Sequence, residues 1–445
     1  MLGKLFRRSA PNDAPPEAAA RNDAPTEALA PVRRSPQDGH DTIEIDQLDE
    51  AARIFENPAR HDELGLKTLR LPDWFDFELS PESPEYRAQQ LRLWEAVTAR
   101  TNYDIRVNED TPGAGDMDAW RRPAFYGTGD SHVAGEQILA MGLIVLRSGV
   151  RPGSRVIEYG AGFGQNSVAL ARLGAKVDTV DINAGFCASI RTQAEKFELD
   201  LTPHEAPFGF NPADQDGAYD VVLFYESFHH CLDFATVIPA LEKMLAPGGK
   251  ILLAGEPIFR GEQPYMPIDW GIRLDWQATA VMRIRGWMEL GFREAFLTRQ
   301  FMNSGFVWRH HAVPQAGPAN LYEFTRWDTP VSMDQWSLSL DEETGWRAPQ
   351  PGGRWSRSSA VLRLPRHQGA VEISCRCHHD DGRVVTMSLG SDMIRFSLGQ
   401  GEQRTVRLPM HGLADQDLRI TTNADRRPHE VDEDLGIFVE TVGPA

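Results

Sequence analysis

Residues 155–166 read Arg155-Val156-Ile157-Glu158-Tyr159-Gly160-Ala161-Gly162-Phe163-Gly164-Gln165-Asn166. Three apolar or aromatic positions form a short buried strand, three glycines follow at alternate places, and an amphipathic stretch begins at Gln165. Side-chain-free residues let a backbone turn tightly and approach a ligand, while the free amides at the start of the following helix face it. The stretch therefore predicts a strand, a ligand-binding loop and a helix. Working outward, the pattern repeats: helix 132–148, strand 155–159, helix 165–173, strand 176–181, helix 186–198, strand 220–225, helix 234–245 and strand 250–255. Strands alternating with helices imply a parallel sheet covered on both faces, an α/β doubly wound domain of Rossmann-like type. A helix over Gly271 to Leu290 and an antiparallel pair, Phe306 to Ala312 with Leu321 to Arg326, would close it near Pro330.

The chain on either side differs in character. From Ser9 to Asp41 it is rich in Ala, Pro, Asn and Asp and lacks large apolar residues, which predicts a flexible tail over 1–41. Residues 42–130 carry short amphipathic runs, clearest at Pro84 to Thr101, and read as a helical N-terminal extension to a domain over 131–330. From 331 to 445, short alternating runs punctuated by Gly, Pro, Asn and Asp predict an antiparallel β-sandwich.

The loop spacing is not that of a dinucleotide site. Gly-x-Gly-x-x-Gly would need a glycine at Gln165, and the third glycine comes one residue early. Glu158 at the strand tip would repel a pyrophosphate, whereas it suits a ligand with an amino group or sulfonium. Asp181, ending the next strand, is placed to accept ribose hydroxyls. Together these residues resemble the class I S-adenosylmethionine (SAM)-dependent methyltransferases, whose acid-x-Gly-x-Gly-x-Gly loop is matched by Glu158, Gly160, Gly162 and Gly164 and whose second acid is matched by Asp181. Tyr219-Asp220-Val221-Val222 and Leu245-Ala246-Pro247-Gly248-Gly249-Lys250 match later landmarks, so the resemblance spans about residues 130–326. It implies SAM as cofactor, held by Glu158, Tyr159, Gly160, Ala161, Gly162, Gly164, Asp181, Ile182 and Tyr225. The acid expected beside the adenine is not obvious, and Glu205 is the nearest candidate.

Methyl transfer to a hydroxyl needs positioning and removal of a proton. Tyr225-Glu226-Ser227-Phe228-His229-His230-Cys231 follows the fourth strand, where such a sheet exposes its site. His229 or His230 is the candidate base, with Glu226 as the carboxylate that orients an imidazole; a purely structural role for the histidines is the alternative. Glu256 is a candidate acceptor contact. The aromatic and basic stretch Arg260 to Trp276 is a candidate acceptor wall, with burial as ordinary core its alternative. No metal is expected: adjacent histidines rarely share an ion, and Cys375 and Cys377 lack a second paired ligand set.

A net charge of −18 argues against nucleic acid, whose recognition needs clustered Lys and Arg. Four cysteines are too few for a disulfide framework and suit a reducing cytoplasm. No apolar run is long enough to span a bilayer, and Met1 to Arg8 offers at most a weak peripheral contact with an inner-membrane surface. The C-terminal part, with Trp346, Arg354 and Trp355, resembles modules of bacterial polysaccharide-assembly enzymes, which implies a glycan acceptor. A small-molecule acceptor, and a non-catalytic scaffold that binds SAM or glycan, are the competing expectations, and the sequence leaves oligomeric state open.

Overall fold

The computed structural model describes residues 37, 39–111, 122, 124, 130–261, 263–339, 345–412, 416–423 and 435–445. Residues 39–445 form one compact unit, which carries every sheet and helix among the described residues. The expected tail over 1–41, apart from residues 37 and 39–41, and the basic start at Met1 to Arg8 lie outside the described residues.

A seven-stranded sheet organises the centre of the larger unit. Its strands are β1 (Arg155–Tyr159), β2 (Lys176–Asp181), β3 (Leu201–Glu205), β4 (Tyr219–Tyr225), β5 (Leu245–Ala254), β6 (Phe306–Ala312) and β7 (Asn320–Arg326), in the order β6-β7-β5-β4-β1-β2-β3. The first five are mutually parallel; β7 runs antiparallel to β5, and β6 to β7. The order reverses between β1 and β4, so the loops leaving these neighbours part and open a crevice at their carboxyl ends. The sheet is buried on both faces, as near-continuous apolar strands require. Ile157, Tyr159, Val222 and Phe224 point into one core with Trp94, while Val156, Val221 and Leu223 point into another with Ile144, Val168 and Ile190.

Among the described residues, eight longer helices accompany these strands: α1 (Leu48–Phe55), α2 (Pro84–Thr98), α3 (Ser131–Ser148), α4 (Gln165–Arg172), α5 (Ala184–Phe197), α6 (Phe234–Met244), α7 (Trp276–Arg285) and α8 (Glu294–Asn303). The helix expected over Gly271 to Leu290 is instead three elements: a strand Trp270–Ile272, α7, and a strand Leu290–Arg293. Asp275 starts α7 by accepting the Ala278 amide at 3.0 Å, and Gly286 ends it at φ +89°. Gly271 cannot be helical because its φ is +151° and any side chain there would meet Gln90 of α2 at 2.5 Å. Strand β3, helix α8 and the hairpin Trp346–Gln350 with Gly353–Arg357 were not anticipated.

Within the stretch Arg260 to Trp276, a candidate acceptor wall, the two tryptophans take the alternative of ordinary core and anchor the N-terminal region. Trp270 and Trp276 are buried, and their indole N–H groups donate to the carbonyls of Pro81 at 2.7 Å and Gly65 at 3.0 Å. Tyr86 returns a hydrogen bond to the Trp270 carbonyl at 2.7 Å. These buried indoles satisfy their donors on backbone, as large amphipathic side chains must.

From Val331 onward, the regular elements among the described residues are all strands. A six-stranded and a four-stranded sheet, both antiparallel, enclose a core that includes Leu362, Ile373, Met387, Leu418 and Ile437. This is the expected β-sandwich. Cys375 and Cys377 are buried within that core as free thiols, and the other two cysteines are free and buried as well.

Candidate active site

The glycine loop leaves β1 with three left-handed residues, Gly160 at φ +65°, Gly162 at +53° and Gly164 at +77°. Only glycine adopts this region without strain. Two of them also permit close approach: a Cβ on Gly160 would stand 2.5 Å from Ser227 Cβ, and one on Gly164 would stand 2.8 Å from Ile190 Cγ1. The loop is thereby pressed against the turn after β4 on one side and α5 on the other.

Asp181, at the tip of β2, ties the loop in place. Its carboxylate accepts the Gly162 amide at 3.2 Å and the Asn183 amide at 2.9 Å. Burial pushes this carboxyl up to about 6, against those two donors. Gly160, Gly162, Asp181, Ile182, Phe186 and Phe208 line a cavity of about 200 Å³. Glu226, Ser227 and His230 line the same cavity beside the loop, together with Ile105, Glu109, Thr111 and Trp287 from remote segments.

The remaining residues expected at the cofactor are elsewhere. Glu158 was expected to face a cationic ligand, but only 2% of it is exposed and its carboxylate turns inward to accept from Ser167 Oγ and from Asn166 Nδ2 at 3.3 Å. It stabilises the first turn of α4, whose amides point the same way. Tyr159 stacks on Phe224 and donates to the Phe210 carbonyl at 2.8 Å, so its side chain belongs to the core. Ala161 is buried, Glu205 is exposed at the end of β3, and Tyr225 packs with Ala140, Ala316 and Ala319; none of the three lines the cavity.

Burial pushes the Glu158 carboxyl up to about 7, with Ser167 and Asn166 pulling the other way. A carboxyl raised in the folded chain binds its proton more tightly there than when unfolded. Its contribution to stability therefore declines as the pH climbs from the ordinary 4.5 to about 7. Glu158→Gln, which keeps the shape and drops the charge, should gain on the wild type in melting temperature between pH 5 and pH 8. A difference that stays constant across that range would show that the buried group does not titrate there.

In the turn after β4, the organising carboxylate is Glu256 and not Glu226. Glu256 is 4% exposed, and its oxygens accept the amides of Ser227 at 2.9 Å, Phe228 at 2.9 Å and His229 at 3.0 Å, together with His229 Nδ1 at 2.8 Å. Burial alone would raise this carboxyl, but His229 and the backbone amides hold it below the ordinary range. Expected as an acceptor contact, it is instead an internal clamp. His229 Nε2 faces Glu289 Oε2 at 3.6 Å, and His229 does not line the cavity.

His230 does. Its Nδ1 lies 2.9 Å from the Met288 carbonyl and 3.1 Å from Glu109 Oε2. Burial disfavours its charge, but Glu109, Glu289 and Glu256 outweigh this and raise it to about 9. Glu109 is fixed in turn by the Met288 amide and the Tyr103 hydroxyl, each at 2.8 Å. Glu226, at φ +47°, reaches the cavity because Gly255 opposite lacks a side chain: a Cβ there would meet Glu226 Cγ at 2.6 Å. Glu109, Trp287, Ser227 and Glu289 carry no local motif; their part in the site comes from contacts remote in sequence.

Residues 157–253 match the family described as a methyltransferase domain. This segment is similar to methyltransferase domains. The match covers the glycine loop, Asp181 and the turn carrying His229 and His230. The chain is similar to a ubiquinone biosynthesis O-methyltransferase of Sodalis glossinidius (strain morsitans), 32% identical over 116 residues, covering 26% of this chain and 47% of that protein. The protein of that description from Xanthomonas campestris pv. campestris (strain B100) is 31% identical over 103 residues, covering 23% and 43%. The chain thus spans about half the length of the curated relatives it matches. A solved magnesium protoporphyrin IX methyltransferase from Synechocystis PCC 6803 with bound SAH aligns at 18% identity, covering 47% of this chain and 94% of that one, with a TM-score of 0.34. Among the described residues, no helix is long and apolar enough to cross a membrane.

Proposed function

We propose that the protein is a SAM-dependent O-methyltransferase with a sugar-containing hydroxyl as acceptor. The observation that carries the reading is one cavity lined by two chemically different sets of residues. A glycine loop and Asp181 form the first, and Glu226 and His230 the second. The loop amides and Asp181 suit the nucleoside, with the carboxylate accepting ribose hydroxyls. The sulfonium methyl would then point toward Glu226. Transfer breaks the bond from sulfur to methyl, forms a bond from methyl to oxygen, and releases the hydroxyl proton to Glu226. His229, with both ring nitrogens turned to carboxylates, acts as a positioning residue. Ile105, Glu109, Thr111 and Trp287, which also line the cavity, would limit the access of water.

The division into a helical extension over 42–130, a catalytic domain over 131–330 and a sandwich over 331–445 is part of this reading. A cleft of about 830 Å³ supports the glycan acceptor, for it is lined by Trp346, Arg354 and Arg357 of the sandwich and by Arg260 and His310 beside it. Aromatic edges and guanidinium groups suit sugar rings and their acidic substituents. The small catalytic cavity favours a second reading, a low-mass acceptor, and the relatives named for ubiquinone biosynthesis point the same way.

Methyl-labelled SAM supplied with surface-polysaccharide extract distinguishes them. Label in high-mass glycan is expected; label confined to low-mass products would support the second reading. Calorimetry tests the cofactor separately: Asp181→Ala should weaken SAM binding about 30-fold, ~2 kcal/mol. Wild-type protein that does not bind SAM would overturn both readings.

A further inference from the structure

Around His230, which lines the cavity, side chains from four separate parts of the chain converge. Glu109 comes from the N-terminal region, His229 and His230 from the turn after β4, Glu256 from the end of β5, and Glu289 from the approach to Leu290–Arg293. A ring nitrogen from each histidine and a carboxylate oxygen of Glu289 lie within 4.8 Å of one another. Ligand atoms bound to one zinc at about 2.0–2.2 Å stand roughly 3.3 Å apart. The 3.6 Å between His229 Nε2 and Glu289 Oε2 is already near that spacing. The histidine rings are tilted by 41° with centroids 4.2 Å apart. The tight turn thus brings these neighbouring residues to one point, against the expectation that adjacent histidines do not share an ion.

Two further features point the same way. A metal-bound histidine nearly always gives its second ring nitrogen to a carboxylate or a carbonyl, which fixes the ring and its tautomer. Both histidines have such a partner: Glu256 on His229 Nδ1 at 2.8 Å, and the Met288 carbonyl on His230 Nδ1 at 2.9 Å. The second feature is charge. Glu109, Glu256 and Glu289 are all largely buried, and among the described residues the one Lys or Arg ion-paired to any of them is Arg273, 3.9 Å from Glu289, which also serves Asp275. Buried carboxylates need compensation, and a bound cation supplies it.

We propose that His229, His230 and Glu289 hold a divalent ion of the zinc or manganese class, with Glu256 and Glu109 as outer partners. Two imidazoles and one carboxylate are a donor set for such ions and leave further positions open. His230 is the ligand that also lines the cavity, so an open position on its side is within reach of an acceptor oxygen. There the ion would lower the pKa of the acceptor hydroxyl and pass its proton to Glu226. This last role rests on the methyltransferase reading; the site itself does not.

The test uses the full chain, stripped with a chelator and titrated with cobalt(II) by visible absorption and with zinc by calorimetry, in the absence of SAM. One equivalent of either ion is expected, with cobalt bands characteristic of mixed nitrogen and oxygen ligands. Glu289→Gln should weaken binding about 100-fold, and Glu256→Gln about 10-fold through His229. Glu289→Asp, which keeps a carboxylate, should recover part of the loss, and circular dichroism confirms that each variant is folded. Absence of stoichiometric binding by the wild type, or equal affinity in folded Glu289→Gln, would overturn the site. SAM calorimetry on the same stripped protein reads the cofactor pocket independently, so loss of one proposal leaves the other standing.

Discussion

Gly160→Val should abolish SAM binding, lowering affinity at least about 100-fold, which corresponds to ~2.7 kcal/mol. Two independent effects act together. Valine is β-branched and disfavours the left-handed backbone that Gly160 adopts at φ +65°, at a cost of about 1–3 kcal/mol. Its Cβ would also fall 2.5 Å from Ser227 Cβ, an overlap that only movement of the loop or of the turn after β4 relieves. Ser227 is held by its hydroxyl on the Tyr159 carbonyl at 2.9 Å and by its amide on Glu256, so the turn yields poorly. The loop therefore moves, and it is the loop that lines the cavity. Calorimetry with SAM and with its demethylated product, beside a melting curve, checks this. Unchanged affinity in a folded variant would mean that the ligand does not sit against this loop.

The second large effect is expected at Glu256. Glu256→Ala leaves three amides and one imidazole nitrogen, all buried, without their acceptor. Breaking a buried charged contact of this kind costs about 4 kcal/mol. For a unit of about 400 residues, which loses about 2.1 cal/mol/K per residue on folding, that is a fall in melting temperature of roughly 5 °C. Methyl transfer should fail as well, because the same amides position the turn that carries Ser227, His229 and His230. Glu256→Gln should be intermediate. Its remaining oxygen still accepts from Ser227 and Phe228, while its amide group meets the N–H groups of His229 as donor against donor. An alanine variant as stable as the wild type would remove Glu256 from its role as the clamp.

The positions of these two residues show how far local sequence reaches. β1, β2 and β4 and the helices between them were legible to within one or two residues, because alternate side chains of a buried strand fill opposite cores and their apolar runs announce it. The glycine loop was legible for a similar reason, since its spacing answers to backbone geometry within five residues. The stretch from Gly271 to Leu290 was misread because a helical period of 10 residues in α7 was extended across Gly271 and Gly286, whose positive φ values break it on either side.

Short-range pattern, and the conformational freedom of particular residues, were enough to set the doubly wound sheet, the antiparallel sandwich and the place of the cofactor loop. Which polar groups meet was settled only by packing. Glu158 turns inward because the start of α4 offers it Ser167 and Asn166. Glu109, Glu256 and Glu289 reach the histidines because the order of the strands, and the docking of the N-terminal region on Trp270 and Trp276, bring remote segments together. A carboxylate in a sequence carries no mark of its partner; burial and the hydrogen bonds that burial demands select it only once the chain has packed.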